Sequence, residues 1–188
     1  MVAERTPPIL VWGERWQSGV YLLHLQAERD LSVVFGRFLG GEPVRVAAGE
    51  YLYVGSAMGQ RGSATLARRV LRHTSRGAGR PAHAIQKALL AALQGHGLGP
   101  ADIKPPRQKK THWHIDYLVG ETAVSLRHIV MLRTGQRRET ALARYLRRLP
   151  QTEILVTGLG ARDDPGETHL LRLEGGAWGG IVTKVAAF

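Results

Sequence analysis

The 188-residue chain carries 26 Lys and Arg against 15 Asp and Glu, a net charge of +11, and its 44% hydrophobic content fits one core, so residues 1–188 are expected to form one domain. That charge favours a polyanionic partner, nucleic acid first, over a membrane, since neither a basic amphipathic helix with a strong apolar face nor an apolar anchor is evident. The absence of cysteine excludes disulfides, thiolate metal sites and a cysteine nucleophile, and with no signal-peptide core and no run of about 18 apolar residues it suits the cytoplasm.

In chain order, Gly19 to Leu25 (GVYLLHL) and Leu31 to Leu39 (LSVVFGRFL) read as paired strands, with the short charged segment Gln26 to Asp30 as their hairpin connection. Gly49 to Val54 (GEYLYV) is a third strand ending at Gly55. Ser63 is the expected N-cap of a helix with Leu66, Val70 and Leu71 on its apolar stripe and Arg68, Arg69 and Arg72 on the other face. His83 to Leu93 is a second helix, and Gln94 to Thr111 an exposed basic loop. His112 to Leu118 (HWHIDYL) and Ser125 to Leu132 read as strands, Arg138 to Leu149 as a third helix stopped by Pro150, and Glu153 to Val156 and His169 to Leu173 as late strands. The mixed order predicts an α+β fold, a small antiparallel sheet flanked by helices with an extra strand and C-terminal strands, its core spanning about residues 19–173.

GVY at Gly19 to Tyr21 and YVG at Tyr53 to Gly55 are weak signals apart. Followed at helix distance by Arg68-Arg69-Val70-Leu71-Arg72-His73, they resemble the GIY-YIG endonuclease superfamily, in which two such strands and the next helix build the active site. YVGSA at Tyr53 to Ala57, RVLRH at Arg69 to His73 and HWHIDYL at His112 to Leu118 together resemble one branch of it, sometimes fused to DNA-repair glycosylases, over about Gly19 to Leu171. The resemblance implies that Tyr21 activates or positions water, that Tyr53 orients it or the phosphate, and that Arg69 stabilises the phosphate. It also implies that Glu139 holds a divalent metal, Mg2+ or Mn2+, with Glu121 and Glu153 as nearby alternatives.

These residue types suit phosphodiester hydrolysis, which needs a deprotonated water, stabilisation of added negative charge and help for the leaving oxygen. An arginine fork matches phosphate oxygens, and a carboxylate holds a hard cation. A tyrosine of ordinary pKa near 10 is a poor base at neutral pH, so His73 is expected to assist it or act as base itself. On a strand, His112, His114 and Asp116 would share one face, as a second metal site or, preferred here, with His114 and Asp116 supporting the arginine helix. Arg61, Arg68, Arg72, Lys104, Arg107, Lys109 and Lys110 are the expected phosphate contacts, and Gly55 a supporting residue.

GLGARDDPGE, with Asp163 and Asp164, and the following His169 fall where that branch shows a GxGxxD then HL pattern, with cysteines this chain lacks, so a structural loop is expected there. The leading expectation is a metal-dependent endonuclease acting on DNA in repair, recombination or defence. The alternatives are a nucleic-acid-binding module of the same fold without robust cleavage, and a metal hydrolase centred on His112, His114 and Asp116.

Overall fold

Two nine-residue strands carry the architecture, and both are apolar nearly throughout because both of their faces are covered. The computed structural model describes residues 6–77, 79–161 and 166–188. Its first half runs β1 (Ile9–Trp12), β2 (Gly19–Ala27), β3 (Leu31–Val34), β4 (Pro43–Val46), β5 (Gly49–Ala57), α1 (Leu66–His73) and α2 (Gln86–Gly95). The second half runs α3 (His114–Gly120), β6 (Val124–Arg133), α4 (Glu139–Arg147), β7 (Thr152–Ile154), β8 (Leu170–Leu173) and α5 (Trp178–Ala186).

Six strands form one sheet in the order β1-β6-β2-β5-β8-β7. The fold class is the expected α+β, and the sheet is mixed, because β1 runs parallel to β6 while the other pairs are antiparallel. Alternation along β2 sends Tyr21, Leu23 and Leu25 into a core with α1, α2 and α3, whereas Val20 and Leu22 meet α4 and α5 on the opposite face.

Several sequence expectations are corrected. Residues 31–39 do not pair with β2; β3 pairs with β4 as a separate two-stranded sheet, and β2 pairs instead with β5 and β6. The insertion between β2 and β5 thus folds on itself, and Ala27 meets Gly49 directly across its base. The cap of α1 is Thr65, whose hydroxyl accepts from Arg68 N, and Ser63 sits in the preceding 3-10 turn. HWHIDYL is not a strand: α3 starts at His114, because the Asp116 carboxylate in its first turn accepts the backbone N–H groups of His112 (3.0 Å) and Trp113 (3.2 Å). Strand β1 and helix α5 were not expected. Among the described residues, no helix is long and apolar enough to cross a membrane.

Candidate active site

Strand β8 pairs with β5 only as far as Leu170 opposite Tyr53, leaving the last residues of β5 without a strand on that side. A cleft of about 380 Å3 opens at this notch, lined among others by Tyr21, Tyr53, Arg69, Trp113, Glu139 and His169. The two tyrosines, whose separation in sequence is bridged by the folded insertion, come together with ring centroids 6.2 Å apart. Gly55, the cross-strand partner of Tyr21, is required for this, because a Cβ there would overlap the Tyr21 phenol.

Behind the cleft runs a chain of buried polar groups. Tyr21 Oη lies 2.8 Å from His73 Nε2, and His73 Nδ1 lies 3.3 Å from Asp116 Oδ1, off the line of a good hydrogen bond but close enough to stabilise an imidazolium if one forms. Arg69 and His73 share one face of α1 because they are four residues apart. Burial pushes the Tyr21 phenol well above its usual value, with the neighbouring Tyr53 adding to the effect. Burial also raises Tyr53, and it lowers His73 to about 4 despite Asp116. For Asp116 burial alone would raise the pKa; His73, the Lys109 ammonium and the Trp113 N–H outweigh it and keep the carboxylate ionised. At neutral pH, therefore, His73 is a neutral imidazole, and with the Asp116 carboxylate at its Nδ1 the favoured tautomer has Nε2 accepting a hydrogen bond from the Tyr21 hydroxyl.

Arg69 stacks its guanidinium 3.9 Å over the Trp113 ring, which fixes the plane of the fork beside the cleft. Glu139, the first residue of α4, comes from the opposite face of the sheet: Ser56 Oγ donates to its Oε2, and its Oε1 lies 3.1 Å from His169 Nδ1. Burial would raise this carboxyl, but nearby His169 and the Ser56 hydroxyl outweigh it and hold it below the usual range. The family described as domain of unknown function DUF123 matches residues 20–178, a span that takes in every one of these side chains. The chain belongs to that family. No curated protein and no solved structure matches it.

The DUF123 cleft gathers Tyr21, Tyr53, Arg69 and Glu139, with His73 buried behind it against Tyr21, while Glu121 and Glu153 do not line it. The other expected residues divide. Arg61, Arg68, Lys104, Arg107 and Lys110 are exposed. Lys109 is not available to a phosphate: its side chain is 2% exposed, and its ammonium meets Asp116 Oδ1 at 3.1 Å and Ser75 O at 2.9 Å. Arg72 is likewise engaged, donating to Lys110 O and Asp116. Because residues 112–118 are not a strand, His112, His114 and Asp116 make no common row, and among the described residues no group of three His, Asp or Glu is arranged to hold a metal. His114 packs against Phe38 and accepts from Gly160 N, supporting that loop rather than α1; Asp116 is the residue that braces the helix. Trp113, Ser56 and His169 were missed as cleft residues. For Ser56 a signal existed, since alternation after Gly55 turns it to the α4 face. Asp163 and Asp164 lie outside the described residues.

Proposed function

We propose that this DUF123 chain is a metal-dependent endonuclease of the GIY-YIG type that hydrolyses phosphodiester bonds in DNA. The observation that carries the reading is the convergence of two tyrosines, an arginine fork and an ionised glutamate at one open cleft of a chain with net charge +11. Glu139 fits a hard divalent cation: its carboxylate is ionised, faces the cleft and is 28% exposed, with Ser56 fixing one oxygen. When bound, Mg2+ or Mn2+ supplies Lewis-acid stabilisation of the phosphate and the leaving oxygen.

The protein groups manage the proton and the charge. Tyr21, too weakly acidic to ionise alone, takes a proton from the attacking water as its own passes to His73 Nε2. Asp116 then faces the resulting imidazolium, offsetting its charge in a buried site. Arg69 donates to the phosphate oxygens as they gain charge. Tyr53 stays a neutral phenol and orients the water or phosphate by hydrogen bonding. The exposed Arg61, Arg68, Lys104, Arg107 and Lys110 contact the backbone without reading bases, a pattern suited to a substrate chosen by shape.

Nicking of supercoiled and branched DNA with Mn2+ or Mg2+, and its loss in chelator, is the direct test. Glu139→Gln is expected to abolish cleavage while leaving DNA binding largely intact. Metal-independent binding with no nicking by the unaltered protein would instead identify a nucleic-acid-binding module.

A further inference from the structure

We infer that His169 would be a second protein ligand of the metal beside Glu139, making the site a mixed imidazole–carboxylate centre; this rests on the reading of Glu139 given above. The residue is 4% exposed; among the described residues its Nε2 has no hydrogen-bond partner, and its Nδ1 meets only the Glu139 carboxylate, off the line of a good hydrogen bond, although a buried imidazole is costly to leave poorly paired. Its ring lines the cleft. The backbone around it is pinned on both sides, His169 N donating to Leu159 O (3.0 Å) and His169 O accepting from Val54 N (2.9 Å), so the ring is presented by the sheet edge rather than by a free loop.

The spacing of the pair suits a cation. His169 Nδ1 and Glu139 Oε1 are 3.1 Å apart but not aligned as donor and acceptor. Two ligands at about 2.1 Å from one metal and 90° apart are separated by about 3.0 Å, the edge of an octahedron. A cation between the two groups would engage an imidazole nitrogen and a carboxylate oxygen that face each other off the line of a hydrogen bond. Ser56 already occupies Oε2, so Oε1 is the oxygen left to share that cation. An imidazole ligand shifts preference from Mg2+ toward first-row transition metals, most strongly Co2+ and Ni2+ and less so Mn2+, because these bind nitrogen donors better than Mg2+ does.

The test is Mn2+ binding, followed by electron paramagnetic resonance and calorimetry on the full chain with a non-cleavable phosphorothioate duplex, alongside circular dichroism of each variant. The unaltered protein should show 14N coupling to the bound Mn2+. His169→Ala should lose that coupling and bind Mn2+ at least about tenfold more weakly, and His169→Asp should restore binding while moving preference back toward Mg2+. Mn2+ held without 14N coupling by the unaltered protein, and lost only in Glu139→Gln, overturns the His169 assignment and leaves Glu139 standing. If the unaltered protein binds no Mn2+, or Glu139→Gln binds it unchanged, the Glu139 reading falls and this proposal with it. The unaltered protein's spectrum decides the matter even where a variant fails to fold.

Discussion

Arg68 and Arg69 are neighbours on α1 with different surroundings: Arg68 is exposed, while Arg69 lies flat on Trp113 at the cleft. If Arg69 donates two hydrogen bonds to a phosphate gaining charge, lysine replaces the charge without the fork. Arg69→Lys should therefore lose about a hundredfold to a thousandfold in single-turnover cleavage with enzyme in excess, and Arg68→Ala should change mainly binding. Equal cleavage rates for the two would remove Arg69 from the reaction. Gly55 tests the tyrosine in the same way. A methyl at this position must push the Tyr21 phenol off His73, at a stability cost of about 1–3 kcal/mol from overpacking. Gly55→Ala should fold, lose most cleavage and keep DNA affinity; unchanged cleavage would show that the Tyr21–His73 contact is dispensable.

The loop before α3 shows how two adjacent lysines acquire opposite jobs. Lys109 is drawn inward by Asp116 and Ser75, and Lys110 is left outside, its carbonyl held by Arg72. Removing one partner of a buried ion pair strands the other, so Lys109→Met should destabilise the fold by about 3–5 kcal/mol. Lys110→Ala should leave the urea midpoint unchanged and lower the salt slope of DNA binding by about 1. A stability loss in Lys110→Ala, or none in Lys109→Met, would contradict this division. Nothing local distinguishes the two lysines, and the same holds for HWHIDYL, whose alternation fits a strand as well as a short helix until Asp116 is seen capping it. Strands β2, β5 and β6 were legible because their apolar runs are long. Helix α5 was not, because Gly179 and Gly180 lower its intrinsic propensity, and the burial of Trp178, Ile181 and Val185 decides its conformation. Of the cleft and the buried groups behind it, Tyr21, Tyr53, Arg69, His73 and Glu139 came from the motif resemblance, whereas Trp113 and His169 depend on contacts that cross the fold.

Over the whole molecule, burial lowers His24, His73 and His83 to about 4, below the ordinary 6.5. Groups kept neutral in the folded state bind protons on unfolding, so stability is full above about pH 6.5 and falls as pH drops toward 4. Each proton taken up contributes a slope of about 1.4 kcal/mol per pH unit. Urea unfolding at pH 7, 6 and 5 should show this decline, and a flat profile would mean that these imidazoles open to solvent. The topology also bears on the order in which the molecule is made. Strand β2 emerges early but needs β6 beside it, with Gly19 opposite Arg133, while the cleft waits for α4 and for His169 after that. Such distant pairing places most loop-closure entropy ahead of the contacts that reward it, which predicts refolding in milliseconds to seconds rather than microseconds. During synthesis the half-made chain would expose the apolar flank of β2, and no truncated product ending before α4 would contain the assembled cleft.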